Sequence, residues 1–429
     1  MLRIIIICFL LVHFLENPAQ KLSRKEKEII SIVQKNNDAA IQLLEQAVNL
    51  NSGTMNLDGV KEVGMLFKGQ FDQIGMDTKW IDLSNLNRAG HLFAETKGNK
   101  GKRVLLIGHL DTVFPENSPF QKMERLPDGT VKGPGTNDMK GGDIIILFAL
   151  RALHEAGHLA DAQIIVALTG DEELTGKPIS LSRKDLIDAG KRSDIALGFE
   201  NSTGFNNVTL ARRGSSGWKV EIEGKRAHSS GIFMTGVGAG AVFEAGRILN
   251  DFYETLKGET YLTFNPGIII GGTEMSYDEP SNTGNAFGKT NVVAQSVIID
   301  GDLRFISEEQ KEITRAKMRA IVANNLPETS AKITFFDSYP AMPPTQNNKN
   351  LLKTFSQVST DMGHGPVEAW DPSKRGAADV SFVAQYVACI DGLGAMGAGG
   401  HTPNETIDLA TFEVLTQRAA VLIYRLINE

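Results

Sequence analysis

The chain has 429 residues, 41% of them hydrophobic and 22% charged, long enough for two domains with separate cores. A formal net charge of −7 argues against a nucleic-acid partner, which calls for a basic face. Aromatic residues, at 7%, give no sign of a base-stacking platform.

The amino terminus differs from the rest. Arg3 leads an apolar run from Ile4 to Leu15, broken by His13, and Asn17-Pro-Ala19-Gln20 closes it. About a dozen apolar residues fall short of the roughly 20 that span a membrane. The pattern predicts a cleaved signal peptide over residues 1–20 and a secreted or periplasmic protein, or a membrane-anchored one if the signal stays on. Cleavage would remove Cys8 and leave Cys389 alone, so no intrachain disulfide is expected in the mature protein.

Apolar spacing predicts helices over Lys21 to Leu50 and Val60 to Met76, followed by a short edge strand from Thr78 to Asp82. A strand at Arg103 to Gly108, a helix from Gly142 to Ala156, and strands at Ile164 to Thr169 and Ile195 to Phe199 then alternate. That order implies an α/β unit with a mostly parallel sheet covered on both faces. Near Arg212-Arg213-Gly214 the pattern changes. A half-exposed strand at Trp218 to Ile222 leads to a helix from Gly238 to Leu256, then strands over Tyr261 to Ile270 and Asn291 to Phe305. A helix from Ser307 to Asn325 and a strand from Lys332 to Phe336 complete a βαββαβ order, a ferredoxin-like α+β insert. After Tyr339-Pro340 the chain returns to the first unit, with helices at Leu351 to Met362 and Leu409 to Ile427.

Three turns after predicted strands carry the chemistry. The first strand ends in His109-Leu-Asp111-Thr-Val, where the histidine and aspartate share a face. This spacing suits an imidazole that binds a metal while a carboxylate holds its other nitrogen. Gly133-Pro-Gly-Thr-Asn-Asp138-Met-Lys-Gly-Gly142 is a glycine-rich turn that lacks the GK[ST] ending of a phosphate loop. Asp171-Glu172-Glu173 follows the next buried strand. Ligands gather at the carboxyl ends of strands in open sheets, so the set reads as a metal site.

These motifs, followed by Glu200 and His401, resemble the dinuclear zinc exopeptidases and deacylases. That family includes glutamate carboxypeptidase, acetylornithine deacetylase, succinyl-diaminopimelate desuccinylase and the carnosine dipeptidases. The resemblance runs over nearly the whole chain after about Lys21. It implies a discontinuous catalytic domain over residues 21–212 and 338–429, and a lid over 213–337 through which the family dimerises. It also implies two zinc ions per chain. Asp138 is the best bridge between them, with His109 and Glu200 on one metal and Glu173 and His401 on the other. Adjacent residues on extended chain point opposite ways, so Glu173 can ligate while Glu172 acts as general base toward a metal-bound water. Asp111 would orient His109.

In the lid, His228 resembles the family histidine that reaches the other subunit's site and helps hold the oxyanion. Asn291 and Arg304 resemble its contacts to the substrate carboxylate. Arg375, in Arg375-Gly-Ala-Ala-Asp379, stands where a small residue is common. It is either a subgroup-specific substrate contact or a salt-bridge partner. Glu200, rather than aspartate, goes with the carboxypeptidase and deacylase branch. The expected substrate is a small peptide or N-acyl amino acid, cut to release a carboxyl-terminal amino acid, glutamate as first guess. Within enzymes the alternatives are an N-acyl amino acid deacylase or a dipeptidase; outside them, a zinc-binding pseudoenzyme.

Overall fold

The computed structural model describes residues 22–279 and 281–429, so the predicted signal peptide lies outside the described residues. In chain order the main elements of the first unit are α1 (Arg24–Val48), α2 (Leu57–Gln73), β1 (Asp77–Asp82), β2 (Gly90–Glu95), β3 (Lys100–His109), α3 (Lys140–Glu155), β4 (Ala162–Thr169), α4 (Lys184–Lys191) and β5 (Ile195–Gly198). The insert then supplies β6 (Gly214–Glu223), α5 (Ala241–Leu256), β7 (Thr263–Gly272), β8 (Glu274–Asp278), β9 (Thr283–Phe287), β10 (Ser296–Phe305), α6 (Glu308–Ala323) and β11 (Ser330–Asp337). The chain closes with α7 (Gln346–Asp361), β12 (Ala388–Ile390) and α8 (Leu409–Leu426).

The larger sheet has six strands in the order β1-β2-β4-β3-β5-β12. It is mixed. The pairings of β3 with β4 and β5, and of β5 with β12, are parallel, while β1 and β2 join antiparallel at one edge. Alternate residues of β3 and β4 feed two cores, as the pleat requires. Val104, Leu106, Ile164 and Val166 pack under α1, α3 and α8, while Leu105, Ile107, Ile165 and Ala167 meet α4 and the 380–384 segment. Helix α3 is buried along nearly its whole length, which matches its unbroken apolar run from Ile144 to Leu150. Helix α1 starts where Ser23 and Glu26 cap each other's backbone amides, and Arg425 of α8 reaches back to Glu26 at 2.6 Å.

The smaller sheet has four strands in the order β7-β10-β6-β11, all antiparallel, with α5 and α6 on one face. Trp218, Val220, Ile299, Phe252 and Met318 form its separate core. Two elements depart from the expected order. Strand β2 is interrupted in sequence by His91, which is fully buried and bonded through Nε2 to Ser182 O at 2.9 Å. The hairpin β8–β9 is exposed over most of its length, so no apolar alternation announces it. It separates β7 from β10, which starts at Ser296, and leaves Asn291 in the connecting turn rather than in a strand.

Leu150 of α3 is fully buried between the larger sheet and the outer helices. Leu150→Ala should lower unfolding stability by about 2–5 kcal/mol, read as a shift in urea midpoint at constant slope. A loss under about 1 kcal/mol would mean that the layer repacks around the missing methyls.

Candidate metal centre

The carboxyl ends of β3, β4 and β5 deliver His109, the Asp171-Glu172-Glu173 turn and Glu200 to one rim of the larger sheet. Two outside loops bring Asp138 and His401. Asp138 is placed by Glu405, whose buried carboxylate accepts the amides of Gly135 at 3.0 Å, Asn137 at 2.8 Å and Asp138 at 2.9 Å. His401 has φ 62°, and the glycines before it let the loop come close to the cluster.

Donor atoms of His109, Asp138 and Glu200 lie within 4.8 Å of one another, and so do those of Asp138, Glu173 and His401. The two groups share Asp138. Its Oδ1 is 3.3 Å from His109 Nε2 and its Oδ2 is 3.2 Å from His401 Nε2. Glu200 Oε1 lies 3.6 Å from His109 Nε2, and Glu173 Oε2 lies 3.1 Å from His401 Nε2. Imidazole nitrogens and carboxylate oxygens converging on two neighbouring points are the donors that divalent transition metals take. His109 is already oriented for this, because its Nδ1 faces Asp111 O at 3.0 Å and leaves Nε2 toward the cluster.

Asp111 does more than the spacing implied, and by a different route. Its carboxylate is 3.5 Å from His109 Nδ1, farther than its own main-chain oxygen. The carboxylate instead accepts the amides of Glu172 at 3.0 Å and Glu173 at 3.2 Å, and the Thr54 hydroxyl at 2.6 Å. Asp111 therefore ties the histidine strand to the glutamate turn. A second brace stands behind it: Arg183 bonds both Asp171 and Asp379, and the Tyr339 hydroxyl donates to Glu172 O at 2.9 Å.

The charges are out of balance without cations. Burial and the neighbouring Asp138 push Glu200 up to about 7, and burial with Glu200 pushes Glu172 well above the usual carboxylate range. Burial also raises Glu173. Hydrogen bonds donated to Asp138 and Glu173 raise His401 to about 11, while His109 and His401 together outweigh burial and hold Asp138 low. These shifts fall on the residues that would surround a metal pair, and the donor set of two imidazoles and three carboxylates fits such a pair.

A polar cleft of about 320 Å³ opens beside the cluster, lined among others by Glu172, Glu200, Asn201, Arg212 and Arg375. Arg212 is buried and donates from Nε to Asp391 Oδ2 at 2.5 Å, and Arg375 donates from Nη1 to Asn201 Oδ1 at 2.7 Å. Arg212 Nη2 and Arg375 Nε have no partner among the described residues. His228, Asn291 and Arg304 do not line this cleft. His228 is exposed and pairs with Ser230 at 2.8 Å, Asn291 sits in an exposed turn, and Arg304 bonds Asp302 at 2.8 Å. Arg212, Asn201 and Glu405 escaped the sequence reading because their partners lie far away along the chain, where no spacing rule reaches.

The raised Glu200 and His401 predict a pH signature. The raised Glu200 contributes stability that is full below its ordinary 4.5 and lost as pH climbs to about 7. His401 adds stability that is full below 6.5 and lost toward about 11. Metal-free protein should therefore weaken as pH rises, while bound metal, which replaces those protons, gains affinity. The Tm gap between metal-loaded and EDTA-treated protein should be small at pH 5 and widen by pH 8 in scanning calorimetry. A gap that narrows with rising pH would contradict the assignment.

The comparisons with known proteins agree with this geometry. The model for peptidase family M20/M25/M40 matches residues 105–425. Carboxypeptidase G2 of Pseudomonas sp. is 26% identical over 390 residues, covering 90% of this chain and 88% of that protein. Succinyl-diaminopimelate desuccinylase of Alkalilimnicola ehrlichii is 24% identical over 368 residues, covering 83% and 91%. Among solved structures, aminopeptidase PepT from Bacillus cereus superposes with a TM-score of 0.72 at 18% identity, covering 91% of this chain and 99% of that one. The chain belongs to peptidase family M20/M25/M40 and is a hydrolase of the metallopeptidase class.

Proposed function

We propose that the protein cleaves an amide whose leaving group is an amino acid with a free carboxylate, as a carboxypeptidase does. The observation that carries this is the arginine pair in the polar cleft. Arg375 is drawn down to about 10 by burial and by the charge of Arg212, so both are cationic at neutral pH. Two cationic guanidiniums line the one cleft, and a carboxylate matches the fork geometry of such a group. The similarity to carboxypeptidase G2 supports the same reading. The desuccinylase relative supports a second one, an N-acyl amino acid deacylase, whose substrate shares that carboxylate.

His109, Asp138 and Glu200 would hold one metal and Asp138, Glu173 and His401 the other; the nitrogen and oxygen donors suit zinc. Bound there, two divalent ions supply Lewis acidity toward the scissile carbonyl and make a water acidic enough to attack at neutral pH. Glu172 takes the proton from the attacking water and returns it to the nitrogen as the C–N bond breaks. Its position in the cleft, with its main chain pinned by Asp111 and Tyr339, keeps that carboxyl at the reacting bond. Arg212 and Arg375 hold the leaving amino acid in register.

Residues 213–337 act as the lid, and in a homodimer His228 and, with it, Asn291 and Arg304 serve the partner chain's site. The outer face of α5 supports the dimer: Val242, Phe243 and Tyr253 are each more than half exposed, as are Phe233 and Met234 before it. Residues 1–20 would export the mature protein.

Two experiments test this. An N-acyl glutamate should be hydrolysed with a kcat/KM about 10- to 100-fold above that of the same compound amidated at its α-carboxyl, the range set by charged hydrogen bonds. Arg375→Met should collapse that ratio; equal rates for acid and amide in the wild type would sink the carboxylate reading. For the dimer, His228→Ala and Glu172→Gln homodimers should each be nearly inactive. Mixing them under subunit exchange should restore activity, and no recovery after proven exchange would remove His228 from the partner's site.

A further inference from the structure

The loop that carries Arg375 is gripped by two consecutive arginines, at the point where the chain leaves the larger unit for the insert. We infer that the second of them, Arg213, is a positioning residue for substrate recognition, fixing the Arg375 loop against strand β7 of the insert. This rests on the reading above, in which Arg212 and Arg375 receive the leaving group's carboxylate.

The loop needs such a brace. From Asp371 to Gly376 every residue is exposed or half-exposed, and a Cβ built on Gly376 would meet nothing within 4 Å beyond its chain neighbours. A segment with so little packing takes its position from hydrogen bonds. Some are internal and only shape the turn. Asp371 accepts the Ser373 amide at 2.9 Å and its hydroxyl at 2.7 Å, and Arg375 N donates to Pro372 O at 3.1 Å. Bonds from outside set where the turn stands. Trp370 N donates to Val208 O at 2.8 Å just before the loop. Arg213 Nη2 donates to Ser373 O at 3.1 Å, and Arg212 Nη1 donates to Gly376 O at 2.9 Å.

Arg213 reaches in two directions. Its other fork nitrogen, Nη1, donates to Thr263 Oγ1 at 3.0 Å, and Thr263 opens the edge strand β7. Thr263 pairs with Arg304 of β10, which pairs in turn with Ser215 of β6, so the bridge engages the sheet of the insert and not a loose end. A planar guanidinium holds both bonds in one rigid geometry, which the point charge of an ammonium does not reproduce. The charge of Arg213 contributes as well. Bonds from Ser373, helped by the charges of Lys374 and Arg213, hold the Asp371 carboxyl below the usual carboxylate range. The base from which Arg213 extends is itself fixed, since Arg212 is bonded to Asp391 at 2.5 Å and exchanges main-chain bonds with Met342 at 2.9 and 3.0 Å. The exposed loop is therefore the part that yields when the bridge is cut. A shift at Ser373 carries Arg375, two residues on, away from Asn201 and from the cleft it lines. Arg213 lines neither the cleft nor the donor set, so its loss leaves the candidate ligands and Glu172 where they stand.

The test measures kcat and KM of zinc-loaded protein for an N-acyl glutamate and its α-amide. Arg213→Met should lower the acid-to-amide ratio of kcat/KM about three- to tenfold, the net contribution of one hydrogen bond. The change should appear in KM for the acid, with kcat/KM for the amide within about twofold of wild type. Equal losses on acid and amide would mark a merely structural residue and overturn the inference, as would an unchanged ratio. Thr263→Val removes only the insert's end of the bridge and should move the ratio in the same direction; a ratio it leaves unchanged overturns the tie to β7, even if Arg213→Met fails to fold. The double variant should lose no more than Arg213→Met alone, because both changes break one bridge, and additive losses overturn that tie too. A wild-type ratio near one sinks the carboxylate reading and this inference with it, whereas a high wild-type ratio that survives the substitutions removes Arg213 alone.

Discussion

One carboxylate between two histidines sets the conditions for everything around it. Asp138 offers an oxygen to each imidazole, so it has to sit at the midpoint of a cluster that also contains Glu173 and Glu200. Such a density of carboxylates in a buried place is costly by itself, and burial with the neighbouring charges raises Glu172, Glu173 and Glu200. The supporting structure answers the same constraint. Glu405 draws three amides of the Asp138 turn to itself, Asp111 draws the two amides of the glutamate turn, and Arg183 with Tyr339 stiffens what lies behind. None of these four side chains is in the candidate donor set, yet each fixes where a donor stands.

The sheet makes this economical. Parallel strands β3, β4 and β5 end at the same rim, so three chemistry-bearing turns arrive together without long loops. Their unbroken apolar runs, Val104 to Ile107 and Ile164 to Leu168, are why these strands were legible in the sequence, and the motifs were legible because each follows such a run. What stayed hidden is of a different kind. Strand β2 carries a buried histidine at its second position, which breaks the apolar pattern, and the hairpin β8–β9 has no buried face to generate one. The role of Asp111 could be guessed in outline from the two-residue spacing, whereas its bonds to Glu172 and Glu173 span some sixty residues of chain. The arginine cleft depends on Arg212 meeting Asp391, which no local pattern encodes. His228, Asn291 and Arg304, all in the insert, do not line the cleft of their own chain, and no local pattern in the sequence told where they would stand.

Two clefts of different chemistry adjoin the candidate centre. One is lined by guanidiniums braced on Asp391 and Asn201, the other by aliphatic side chains left over when the backbone beneath them is fully bonded. Each is lined in part by candidate donors, Glu173 in one and Asp138, Glu200 and His401 in the other.

The path of the chain through the larger sheet has a consequence for its synthesis. The inserted antiparallel sheet, Gly214 to Asp337, has its own core and emerges from the ribosome as a contiguous stretch. The larger sheet has no such luxury. Its edge strand β12, the helix α8 that packs on α1 and α3, and the loops bearing His401 and Glu405 are all made after the insert. Until they arrive, the apolar faces of α1 and α3 lack their cover and the Asp138 turn lacks the carboxylate that gathers its amides. The half of the molecule that begins first therefore finishes last, and its exposed surfaces in the interval are the ones a chaperone would have to hold.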